Sequence, residues 1–289
     1  MLLTEAIRRQ IGAAVLERVF TGSGSVKAKR SRPRIPEAER WFSADRPIRQ
    51  VHKDYAMFVG GITAILLQSL HPLTMAAIAD HSAYQSDPWG RMRRTSHFIA
   101  ATTFGRPADA RAAIAQVRAI HEHIAGTAPD GRPYAASDPH LLRWVHVAEI
   151  DAFLRAYAAY GSKRLDQAER DGYVADMAQI AVELGVPDPP RTQAQVATVI
   201  EQYLPELNGT SQARDAARFL LVKPPLPLII RPIYGGLAAA AVSLLPPWAR
   251  RELSLPSLPL TEAVLVRPAG RLAVNTIRWG LSARAPADA

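Results

Sequence analysis

The sequence predicts an all-α protein, a single helical domain, and three observations carry that prediction. Alternating strand-like segments are scarce, while Ala, Leu, Arg, Glu and Gln recur at helical spacing. The breaks between periodic stretches hold proline and glycine where helices start and stop. At 289 residues, with 48% apolar and 21% charged residues, the chain can bury a large core, and no internal repeat divides it.

A first helix is expected near residues 4 to 19. It precedes a Ser/Gly-flanked basic segment, KAKRSRPR, that holds much of the formal charge of +9 and reads as an exposed linker. The segment could meet anionic lipid. No zinc-finger spacing or aromatic-basic strand motif accompanies it, so a nucleic-acid partner is not expected. A long apolar helix follows over 55 to 80, kinked at His71-Pro72 and ending at His81-Ser82. Helices over 88 to 104 and 139 to 160 begin at Asp87-Pro88 and Asp138-Pro139, each a carboxylate N-cap before a proline at the first helical position. Gly126 stops a helix over 107 to 125, and Gly185 stops one over 166 to 184. Further helices are expected over 192 to 206, 210 to 220, 230 to 245 and 261 to 282, with Lys223-Pro-Pro-Leu-Pro and Pro246-Pro247 as breaks.

The absence of cysteine excludes disulfides, iron–sulfur clusters and thiolate-ligated haem. It fits a reducing cytoplasm, the expected location, since the N-terminus lacks the apolar run of a signal peptide. The longest weakly polar run, Ile233 to Leu245, has 13 residues, whereas a spanning helix needs roughly 20. No phosphate-binding glycine loop, GxSxG elbow or thiol nucleophile is present.

On the helix from Pro88, Arg91, Thr95, Phe98 and Thr102 fall at i, i+4, i+7 and i+11, with Arg94 one turn from Arg91. One face therefore mixes guanidinium groups, hydroxyls and a ring. Arg91 either serves a ligand there, caps a carbonyl, or pairs with Asp80 or Asp87. The next helix sets His121 beside Ile114, Val117 and Ile124, with Arg111, Arg118 and Glu122 as a charged flank. Such an imidazole can ligate iron or zinc, or it can be a satisfied core histidine. Zinc is disfavoured, because no HExxH or His/carboxylate cluster is visible. His71 and His81 line a pocket or bond a backbone carbonyl. His146 is a second candidate core histidine, and Asp151 on the same helix requires a partner.

Taken in order, Leu66-Leu67-Gln68-Ser69-Leu70-His71-Pro72, His81-Ser82, Asp87-Pro88, Arg91-x-x-Arg94-Thr95, Phe104-Gly105, Ile120-His121 and Gly131-x-Pro-Tyr134-x-Ala136 resemble the MpaB/rubber oxygenase family, which includes the latex-clearing proteins. Trp144-Val145-His146 and Leu184-Gly185-Val186-Pro187 extend the resemblance. It divides the chain into an N-terminal helix and basic linker (1–43), a family-like haem-binding domain (44–255) and a C-terminal extension (256–289).

The resemblance implies a globin-like core around haem b and oxygen chemistry on carbon–carbon double bonds. It makes His121 the axial iron ligand, with Arg91, Thr95 and Phe98 against the cofactor and Arg91, Arg94 and Thr95 as the catalytic set. Two departures matter. Arg94 stands where the latex-clearing proteins have lysine, and a guanidinium stays protonated and ligates iron poorly. Their catalytic glutamate also has no counterpart, since Thr74 to Ala79 contains no acid. The expectation is a haem b oxygenase that takes dioxygen or peroxide and a small apolar, alkene-like or terpenoid-like substrate, with a homodimer possible. Its rivals are a non-enzymatic haem sensor or carrier and a cofactor-free helical interaction protein.

Overall fold

A computed structural model describes residues 35–82, 85–224, 226, 228 and 230–282. The expected first helix and the basic segment lie outside these residues. A short 3₁₀ turn, Glu37–Glu39, leads into α1 (Pro47–Lys53), α2 (Met57–Gln68) and α3 (Pro72–His81). Next come α4 (Pro88–Phe104) and α5 (Pro107–Glu122), then a two-stranded antiparallel hairpin of β1 (Ala125–Thr127) and β2 (Pro133–Ala135). The remainder is α6 (Pro139–Tyr160), α7 (Gln167–Leu184), α8 (Gln193–Tyr203), α9 (Ser211–Val222), α10 (Arg231–Leu244), α11 (Pro247–Glu252) and α12 (Arg267–Ser282). The protein is all-α, with one small sheet among the described residues.

Caps explain most boundaries. The Asp87 carboxylate accepts from the Gly90 N–H and Asp138 from the His140 N–H. Asp166 and Glu169 form a reciprocal capping box at α7, which ends at Gly185 in the left-handed conformation (φ 100°). The 107–125 helix stops early, at Glu122, because Ala125–Thr127 pairs with Pro133–Ala135, and Gly126 belongs to that strand.

The helix expected over 55 to 80 is two helices. Pro72 lacks the N–H that would continue the ladder, and α2 and α3 meet at 108°. Among the described residues no single helix is long and apolar enough to cross a membrane. This bent pair passes on length and composition only jointly.

The pair α2 and α6 forms the centre of the core. Gly60 permits their approach, since a β-carbon there would fall 2.7 Å from Phe153 Cδ1. Trp144, Val147, Ile150 and Tyr157 of α6 are buried against Val59, Leu66 and Leu67. α10 packs on α12 through Gly236 and Ala240, which face Ala273 and Gly270, and on α2, where Thr63 approaches the Ala241 carbonyl, so one face of the Ala/Gly run is buried. α12 adds Ala273, Val274 and Ile277 to the same core. It is preceded by a helical turn, Pro259–Thr261, and a π-helical segment, Glu262–Val266.

Candidate functional site

α4 and α5 are joined through Gly105 and Arg106 and pack on each other, so residues near the start of α4 lie toward the end of α5. Arg91 is half-buried and donates to Ser82 Oγ at 2.9 Å, a partner on the far side of the turn. Asp80 accepts from the Tyr134 hydroxyl at 2.5 Å. Asp87 has Arg94 at 3.7 Å, an exposed pair. Thr95 is also exposed, whereas Phe98 packs against the core and Thr102 is buried, bonded to the Phe98 carbonyl. The face expected to act as a unit therefore runs from solvent at Arg94 and Thr95 to the interior at Phe98 and Thr102.

His121 occupies the last turn of α5, half-buried in line with Ala110, Ile114 and Val117. Arg111 and Arg118, on the charged flank, bind the Glu183 carboxylate and carbonyl of α7. Burial lowers the pKa of His121, so the ring is neutral at pH 7. Beside it, on the next flank of α5, His81, Gln116, Ala119, Ile120, His123 and Ile124 line an open groove of about 510 Å³.

A line of buried polar groups lies deeper. His52 Nδ1 is 2.7 Å from Thr103 Oγ1, and its Nε2 is 3.1 Å from the Tyr173 hydroxyl. Desolvation pushes His52 down to about 3 and raises Tyr173 well above its ordinary value. On α6, one turn apart, burial pushes His146 down to about 4 and Glu149 up to about 7. His146 is thus the expected core histidine, with Nε2 buried and unbonded. Asp151 has a plain partner, Arg155 at 2.6 Å. Sequence reading passed over His52 and Glu149. The signal for Glu149 was its place one turn from His146 on a helix otherwise apolar nearly all round.

A second cluster corrects the expectation for His71 and for metal ligands. His71 reaches no backbone carbonyl through its side chain, but approaches Glu206 Oε2 at 3.4 Å, where His140 Nε2 also arrives at 2.8 Å. A His/carboxylate cluster therefore exists. It was invisible as a spacing motif because its members lie 66 and 135 residues from Glu206.

No curated protein and no solved structure matches the chain. Residues 49–279 match the family model described as "ER-bound oxygenase mpaB/B'/Rubber oxygenase, catalytic domain". That span includes every helix from α2 to α11, the α4–α5 pair and both polar clusters, and by it the chain belongs to the mpaB/rubber oxygenase family.

Proposed function

We propose that this family member is a haem b-dependent oxygenase acting on a small apolar substrate with dioxygen or peroxide, in the cytoplasm. The observation that carries the reading is His121. Its imidazole is half-buried and neutral, and it has no hydrogen-bond partner among the described residues. Axial ligation of iron needs such a ring with a free lone pair. The donor set fits the cofactor on chemical grounds: an available imidazole on α5, and guanidinium groups on α4 suited to haem carboxylates.

In this reading His121 holds the iron. Arg91 and Arg94 would hold the cofactor's carboxylates or offer hydrogen-bond donors on that side, Phe98 would supply an apolar wall, and Thr95 a hydroxyl. Haem supplies the oxygen chemistry; the chain's residues bind, orient and exclude water. Ser82 orients Arg91 through their hydrogen bond. Arg94 cannot lose its proton at working pH, so it acts as a donor and not as an iron ligand.

The test is the absorption spectrum of protein expressed with a haem precursor, with a pyridine haemochrome assay for type and stoichiometry. One b-type haem per chain is expected. His121→Ala is expected to lose the Soret band while keeping its helical circular dichroism. Full retention of haem by that variant overturns the ligand assignment, and oxygen uptake with alkene or terpenoid probes separates an oxygenase from a carrier.

A further inference from the structure

Three chain segments meet at the second cluster. His71 caps α3 at the 108° bend, His140 is the second residue of α6, and Glu206 ends the 3₁₀ turn after α8. One donor atom from each lies within 4.8 Å of the others. Four-coordinate zinc, with bonds of about 2.0–2.1 Å, holds its ligand atoms roughly 3.3 Å apart. The two observed approaches to Glu206, 3.4 and 2.8 Å, bracket that spacing.

Hydrogen bonding alone leaves His71 poorly served. The side chain is 1% exposed, its Nε2 contact is at the long limit for a hydrogen bond, and Nδ1 has no partner. With its proton on Nδ1, an imidazole this deep that makes one long contact through Nε2 presents a lone pair to the Glu206 side, where an ion can be held. Tyr203 packs on the His140 ring and leaves Nε2 directed at Glu206. The Tyr203 hydroxyl lies 3.4 Å from its Nδ1 and donates to its carbonyl at 2.8 Å, with the rings 4.6 Å apart. Arg132 is the cation whose charge reaches both His71 and Glu206, and its guanidinium is engaged by Asp130 at 2.7 Å.

We infer that His71, His140 and Glu206 bind one divalent first-row transition ion, with the remaining coordination open to water. Two imidazole nitrogens and one carboxylate oxygen suit Zn²⁺ or Fe²⁺, not the oxygen-only shells of Ca²⁺ and Mg²⁺. The ion ties together the bend, the start of α6 and the turn after α8, where the Asn208 N–H already donates to the Leu70 carbonyl at 2.8 Å. Neither the ligands nor the ion depend on haem at His121.

The test strips the full chain with chelator and titrates it with ZnCl₂ by calorimetry, and with CoCl₂ by visible absorption. One Zn²⁺ per chain and a raised thermal midpoint are expected. Glu206→Gln and His140→Ala, at positions with side chains 38% and 49% exposed, are expected to weaken binding at least tenfold with unchanged circular dichroism. Absence of saturable uptake by the unaltered chain overturns the proposal, as does uptake that neither variant weakens tenfold. Haem content measured on the same samples keeps this outcome separate from that of the His121 assignment.

Discussion

Arg278, near the end of α12, places Nη2 3.1 Å from Oδ1 of Asp54, a carboxylate between α1 and α2 that is almost fully buried. The same carboxylate accepts from the Ala56 and Ser162 N–H groups at 2.8 and 2.9 Å. One acid thus joins the beginning, middle and end of the bundle. Asp54→Ala takes the acceptor from all three partners, leaving two N–H groups unpaired and Arg278 with Asn275 alone, so a loss of about 3 kcal/mol is expected in urea unfolding. Arg278→Ala, from a partly exposed position, is expected to cost less than Asp54→Ala. The reverse order would refute this account of the cluster.

Gly209 sits where the turn after α8 meets the end of α11. A β-carbon there would lie 1.7 Å from the Glu252 carbonyl oxygen, a backbone atom that cannot rotate away. Gly209→Ala is therefore expected to destabilise by about 1–3 kcal/mol, through displacement of this turn. Because Glu206 is on the same turn, zinc affinity should fall with it. A variant as stable as its parent would show that the turn yields freely.

Buried His146 and half-buried Glu149 make opposite contributions to pH dependence. His146, lowered from 6.5 to about 4, gives stability that is complete above pH 6.5 and lost as pH falls toward 4. Glu149, raised from 4.5 to about 7, gives stability that is complete below pH 4.5 and lost as pH rises toward 7. Replacing Glu149 by Gln removes the second contribution alone. Relative to the parent, Glu149→Gln should gain roughly 3 kcal/mol between pH 4.5 and 8. Denaturant unfolding at pH 4.5, 6 and 8 checks this, and a difference that does not vary with pH would refute it.

Arg94→Ala separates stability from function. Its pair with Asp87 is exposed and 3.7 Å long, worth about 0–1 kcal/mol, so the thermal midpoint should barely move. If Arg94 contributes to holding the proposed cofactor or to its chemistry, oxygen uptake or haem affinity should fall tenfold or more in the same variant. Unchanged uptake and affinity would remove Arg94 from the functional set.

The elements most legible in the sequence were those with chemical punctuation: Asp87-Pro88, Asp138-Pro139, and Gly185 at a positive φ. α1 and α11 escaped because 7 and 6 residues are too few for a helical period to emerge. The hairpin escaped because its strands have three residues each. For the site, helical spacing put His121 in line with Ile114 and Val117, since that depends only on local periodicity, whereas Ile124 lies beyond the helix end and lines the groove. The same spacing did not foresee that Arg94 pairs with Asp87 or that Thr95 faces solvent, because side-chain direction depends on which helices lie opposite. The His71, His140 and Glu206 grouping depends on the bend at Pro72 and on how three distant segments pack, information that no local window contains.

The π-helical segment at Glu262–Val266 bears on how the length of this protein can change. A residue added to or removed from an α-helix turns everything beyond it by about 100°. In α12 an insertion would carry Val274 and Ile277 off the core and bring exposed Leu272 into it. A π-turn already contains one residue more than an α-turn of equal reach. A single deletion inside Glu262–Val266 can therefore restore α-helix while the downstream face keeps its direction. A one-residue deletion is thus absorbed in that segment, whereas the same change a few residues later would turn part of the core face of α12 outward.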